Sequence, residues 1–150
     1  MPELDDTDEK LIRILRRDAR ISNAELAERT GLSPSSCWRR VRALEDSGVI
    51  RRYTISVDDA KRGQTFQAIV HVQLTRHDPA QLAEFVRAIQ TNDSVQECFA
   101  TTGQSDYHLM VRCRDLHHYN RFLEEFLFRL PAVASAQTNL VLRSLKEKIG

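Results

Sequence analysis

The sequence predicts an α+β protein: an N-terminal three-helix, winged-helix-like helix-turn-helix domain, then a C-terminal ferredoxin-like βαββαβ domain, an α/β sandwich expected to be dimeric. Three observations carry this. Two capped helical patterns, 22–30 and 33–48, stand one short glycine-containing turn apart. From Thr65 the pattern changes to strand, helix, strand, strand, helix, strand. Between them, 58–63 has polar turn chemistry and no periodicity, so a linker at 58–64 separates domains at 1–57 and 65–150.

In order, residues 5–18 read as a first helix, with Asp6 and Glu9 as a capping box and Leu11, Ile14 and Leu15 facing inward. Ser22-Asn23-Ala24-Glu25 is a second capping-box pattern, starting a helix that packs Leu26, Ala27 and Thr30. Gly31-Leu32 turns the chain into the third helix, capped by Ser33, with Pro34 in its first turn and Gly48 as its left-handed stop. The β-branched stretch 49–57 reads as a trailing strand. Phe66, Ala68, Val70, Val72 and Leu74 then alternate as a half-buried strand. Asp78-Pro79 starts a helix carrying Leu82, Phe85, Val86 and Ile89. Strands at 94–102 and 106–113 flank the hairpin Gly103-Gln104-Ser105. Asp115 caps a helix running to Leu130 before Pro131, and a last strand covers 132–143.

In that module both helices cover one side of the sheet. The other side carries Gln67, Ile69, His71 and Gln73 from its first strand, a mixed face suited to a second subunit.

Composition narrows the function. A hydrophobic share of 41% and a charged share of 29% are those of a globular protein. No apolar run approaches a membrane span and the acidic N-terminus is unlike a signal peptide, so a cytoplasmic protein without membrane contact is expected. Cys37, Cys98 and Cys113 read as reduced, buried small hydrophobes. The histidines lack metal-ligand spacing, and no phosphate loop, nucleophile elbow or paired-carboxylate motif appears; no metal, cofactor or catalytic residue is expected.

The net charge is only +1, but its distribution is focused: 33–52 holds five arginines against Glu45 and Asp46. On the third helix Cys37, Val41 and Leu44 form an apolar seam, and Arg39 projects opposite it with Ser35 and Arg42 beside it and Ser36 further round. A buried seam backing small hydroxyls and forked cations describes a helix that lies in a DNA groove. A solvated surface helix is the plain alternative; the preceding capped helix and short turn favour DNA. Ser35, Ser36, Arg39 and Arg42 are the groove-facing set, and Ser33 with its helix end suits a phosphate. Trp38 packs against the second helix or lies on the sugar-phosphate backbone, with packing preferred. Arg40 makes either a salt bridge within the domain or a phosphate contact. Of Arg51 and Arg52, strand alternation lets one face the DNA.

Leu32-Ser33-Pro34, Cys37, Arg39-Arg40-Val41-Arg42-Ala43-Leu44-Glu45, Ser47-Gly48-Val49-Ile50 and Tyr53 resemble the signature of the Lrp/AsnC (feast/famine) transcriptional regulators. The second half resembles it too: Val95, Glu97-Cys98, Thr102-Gly103, Asp106-Tyr107, Leu130-Pro131, Val133, Thr138, Val141-Leu142 and Lys146. The resemblance implies a DNA-binding regulator whose second domain dimerises, further assembly into octamers or discs, and an amino acid or similar effector bound between subunits. Gln104-Ser105 departs from it, since other members often carry an aromatic there.

The effector site this implies centres on Thr101, Gly103, Gln104, Ser105, Asp106 and Tyr107, with Thr138 of the last strand, from the same or a neighbouring subunit, added by the resemblance. A glycine turn offers N–H donors to a carboxylate, and Asp106 offers an ammonium its counter-charge. The alternative role for Gly103 and Asp106 is to make the hairpin turn. A second function also stands, because sirohaem decarboxylases resemble the same two-domain architecture; the arginine-rich third helix favours the regulator.

Overall fold

The computed structural model describes residues 4–75 and 78–146. It divides into two compact units, one ending at Val57 and the other running from Asp58 to Leu145.

The first unit holds α1 (Asp6–Leu15), α2 (Asn23–Thr30) and α3 (Pro34–Asp46). Its core is Leu11, Leu26, Ala27, Cys37 and Leu44, all buried, so each helix contributes one stripe. The capping box of α1 sits one residue earlier than expected: Asp5 accepts from the Asp8 N–H, and the Asp8 side chain accepts from the Asp5 N–H. On α2, Ser22 accepts from the Glu25 N–H, while the Glu25 carboxylate pairs with Arg29 at 2.6 Å. Gly31 closes α2 in the left-handed region at φ 73°, which makes the short turn into α3.

The strand expected at 49–57 is not there. Residues 49–50 lie in a bend and 51–57 take no regular structure, no described residue offers them a ladder, and Tyr53, Ile55 and Val57 stay exposed. β-branched alternation favours an extended backbone; a strand also needs a partner.

The second unit is a four-stranded antiparallel sheet, β1 (Phe66–Leu74), β2 (Val95–Ala100), β3 (Tyr107–Cys113) and β4 (Val133–Leu140), in the order β2-β3-β1-β4. With α4 (Pro79–Thr91) and α5 (Leu116–Arg121), the chain order is βαββαβ. Val70, Val72, Leu109 and Val111 meet Phe85, Ile89, Tyr119, Phe122 and Leu127 in one core. The opposite face carries Gln67, Ile69, His71 and Gln73 on β1 and His108, Met110 and Arg112 on β3, in register. There His71 and His108 touch through their Nδ1 atoms, and Asn139 meets His71 Nε2 at 3.0 Å.

Two further expectations shift. The helix capped by Asp115 is α-helical only to Arg121, then takes a π turn over Phe122–Phe126 and a 3-10 turn over Leu127–Arg129. The buried positions Phe122 and Leu127 lie five residues apart, a step that the wide turn accommodates and an α turn does not. Cys98, expected inside, is exposed, because β2 is an edge strand.

Candidate functional site

The first candidate surface is the outer side of α3. Ser33 caps the helix by accepting from the Ser36 N–H at 3.3 Å, and its hydroxyl lies 3.3 Å from that of Ser35. The Asn23 amide donates to the Pro34 carbonyl at 2.8 Å, which ties the start of α2 to the first turn of α3. With Cys37 and Leu44 buried beneath, the helix can turn only its other side to solvent. That side presents Ser35, Trp38, Arg39 and Arg42, all exposed, with Ser36 half-buried at its margin.

The three arginines of α3 differ in what holds them. Arg40 bridges Asp5 and Asp8, each at 2.8 Å, so it clamps α3 to the capping box of α1. The Asp8 N–H and the Arg40 guanidinium together hold the Asp5 carboxyl below its ordinary value. Arg42 leans back toward Glu45 and Asp46, at 3.5 and 3.4 Å. Arg39 has no ion-pair or hydrogen-bond partner among the described residues. Of the two readings of Arg40, the intradomain bridge is what the structure contains. Trp38 corrects the packing preference: it is 62% exposed, because the core beneath is already filled by Cys37 and Leu44. Arg51 and Arg52 are both exposed on the segment after α3, and nearby Tyr53 donates to Glu45 at 2.7 Å.

The second candidate is a hollow of about 810 Å³ in the sheet unit. Four of the expected effector residues line it: Thr101, Gln104, Asp106 and Tyr107. Asp106 organises this corner. Its N–H donates to the Val72 carbonyl at 2.9 Å, its carbonyl accepts from the Thr101 N–H at 3.0 Å, and its carboxylate accepts from the Leu74 N–H at 2.8 Å. The Gln104 carbonyl accepts from the Gln73 amide at 2.6 Å, pinning the hairpin to β1. Gly103 and Ser105 shape the turn without lining the hollow; Gly103 has φ 133°, and the Ser105 carbonyl accepts from the Thr101 hydroxyl.

Thr138 is not brought to the hollow. It pairs with Val70 on the helix-covered side of the sheet, and its hydroxyl meets that of Tyr119. The sequence reading also missed lining residues, chiefly Asp78, Gln81 and Leu82 from the start of α4 and Gln73 and Leu74 from the end of β1. Asp78 was visible as a helix cap, a role it keeps by accepting from the Ala80 N–H, but nothing local showed that this cap faces the hairpin. Among the described residues, no group of three or more His, Cys, Asp or Glu side chains is placed to hold a metal, and no helix is long and apolar enough to cross a membrane.

A capped, outward-facing basic helix in a three-helix unit, followed by a sheet unit with a ligand-sized hollow, defines a helix-turn-helix regulator with a ligand-binding domain. Residues 4–51 match the winged helix-turn-helix DNA-binding family, and residues 67–149 match the Lrp/AsnC ligand binding domain. The leucine-responsive regulatory protein of Escherichia coli is 37% identical over 145 residues, covering 97% of this chain and 88% of that one. Transcriptional regulator AzlB of Bacillus subtilis is 34% identical over 146 residues, covering 97% and 93%. A crystallised transcriptional regulator–L-Met complex from Neisseria meningitidis superposes with a TM-score of 0.93 at 32% identity, covering 97% of this chain and 94% of that one. The chain belongs to the Lrp/AsnC family of transcriptional regulators. That membership favours regulation over the decarboxylase alternative.

Proposed function

We propose that this regulator binds duplex DNA as a homodimer, through α3, under the control of an amino acid held at the hollow of its second unit. The observation that carries the DNA reading is Arg39, an exposed guanidinium on the outward side of α3 that no described acid engages. Arg39 makes paired hydrogen bonds to a guanine edge, Ser35 and Ser36 line the groove beside it, and Ser33 with the N-terminal N–H groups of α3 takes a phosphate. Arg42 joins them by releasing its exposed acidic neighbours, a small loss for surface pairs. Arg40 stays with α1.

The open sheet face supports the dimer: it is mixed rather than uniformly charged, and a two-fold pair of recognition helices reads two half-sites. Assembly into octamers follows the same family reading. The effector reading rests on the hollow, whose volume lies within the range of small-molecule sites, about 300–1,000 Å³. Asp106 has a carboxylate oxygen beyond the one bonded to Leu74, available to an ammonium. Thr138 contributes only if assembly brings another copy's β4 to this corner. The effector then acts by linkage, favouring one assembly state and so the spacing of the paired helices. The protein performs this in the cytoplasm, as a regulator and not as an enzyme.

A genomic binding selection with the full-length protein, repeated with a panel of amino acids, tests both parts. Recovery of a shared sequence, altered in yield by one amino acid, is expected. Recovery of no sequence at low salt sinks the DNA reading, and indifference to the whole panel sinks the effector reading.

A further inference from the structure

Trp38 is the only tryptophan of the chain, and it stands 62% exposed. An indole left in water forgoes one of the largest burial gains a side chain offers. Its position is specific. Ser35, Trp38, Arg39 and Arg42 fall at i, i+3, i+4 and i+7, a single outward stripe opposite buried Cys37 and Leu44. The indole therefore shares its side of α3 with Arg39, the guanidinium that no described acid holds.

We propose that Trp38 is a specificity-determining residue whose indole rests on the 5-methyl group of a thymine in the major groove, next to the base edge that Arg39 reads. This rests on the DNA-binding reading above. Charge complementarity selects the occupant: the stripe carries two guanidiniums, and a duplex supplies the matching phosphate rails. Between those rails the major groove offers one apolar group on a base edge, the thymine methyl. Packing the indole on a deoxyribose covers the same ring and reads no base, so the two arrangements separate by experiment.

The probe is a duplex recovered by genomic binding selection with the full-length protein. Trp38 emission is followed during titration, and each thymine of the site is replaced in turn by uracil, which removes only the methyl. The expected result is a quenched or blue-shifted emission on binding, with one thymine per half-site whose replacement weakens the parent about fourfold, the cost of uncovering one methyl group. Trp38→Ala binds more weakly than the parent and is indifferent to that same replacement. Because the side chain is exposed, the variant keeps the parent's thermal midpoint; Trp38→Leu, which restores an apolar contact, regains part of the sensitivity. Emission unchanged by saturating DNA overturns the proposal while leaving Arg39 and the regulator in place. So does a changed emission with every uracil neutral, which puts the ring on the sugar. Failure to recover any duplex removes the DNA reading itself, and this proposal with it.

Discussion

The two candidate sites are built in opposite ways. The basic stripe lies on one thirteen-residue helix, whose cap, first-turn proline and buried seam are consecutive in the chain. The hollow is assembled from the end of β1, the start of α4 and the β2–β3 hairpin, and its corner is closed by bonds such as Asp106 to Leu74, 32 residues apart. A site on one helix inherits its geometry from period and caps, so a substitution there changes a contact. A site made of distant loops inherits its geometry from the sheet, so a substitution changes the contact and the shape together.

Core truncation exposes that contrast with the largest effect. Phe85 is 1% exposed and packs on Tyr107, ring centroids 5.0 Å apart, and Tyr107 lines the hollow. Phe85→Ala is expected to cost about 3–5 kcal/mol and to abolish the effector response, because the wall it supports collapses. Leu11→Ala removes a fully buried side chain of the other core and is expected to cost about 2–5 kcal/mol, with the hollow intact. Denaturant unfolding and calorimetric titration with the active amino acid measure both. A normal response in Phe85→Ala breaks the comparison.

Asp106 sharpens it by separating charge from architecture. Asp106→Asn keeps an acceptor for the Leu74 N–H and is expected to stay within about 0.5 kcal/mol of the parent. Asp106→Ala loses that bond and about 1 kcal/mol. Both are expected to lose the response, since neither offers an ammonium its counter-charge. A fully responsive Asp106→Asn leaves Asp106 as a turn residue only.

The same contrast explains what could be read from sequence. Ser33, Pro34 and the Cys37–Leu44 seam declare α3 and its outward residues within one window of chain. Arg40 could not be resolved that way, because its partners Asp5 and Asp8 lie on another helix. Asp106 was visible in its glycine turn, but Gln81 and Leu82 were not, since only the crossover of α4 brings them to the hairpin. Thr138 is the reverse case: the last strand forms, yet within its own chain register turns this residue toward Tyr119, and no local pattern reveals that direction. The segment 49–57 has strand composition with no ladder partner among the described residues. The π turn answers to five-residue spacing in the core, which a 3.6-residue pattern hides.

Adjacent arginines give the next prediction. Arg39→Ala is expected to lose about tenfold or more on the selected duplex and little on random DNA. Arg40→Ala is expected to spare the discrimination between the two and to lower the thermal midpoint. It also moves the acid limb of stability. With its carboxyl lowered from 3.8, Asp5 contributes stability above that pH and loses it as pH falls through the lowered value. Without Arg40 the depression shrinks, so the loss is smaller and is complete at a higher pH. Equal losses on both duplexes for Arg39→Ala reassign it to the phosphates.

The smallest effect lies at the far end of α3. The Tyr53 hydroxyl donates to Glu45 at 2.7 Å, and burial together with that carboxylate pushes its pKa from 10.0 up to about 12. The folded state holds this proton more tightly than the unfolded chain does. Its contribution is therefore whole below pH 10 and disappears as pH rises toward 12. Tyr53→Phe cannot lose that proton. The parent's advantage over the variant is expected to shrink between those two pH values, and only slightly, because half of the side chain is in water. Denaturant midpoints of the two proteins across that window measure it. A constant difference means that the hydrogen bond adds nothing to stability, and that the segment after α3 has no anchor at Glu45.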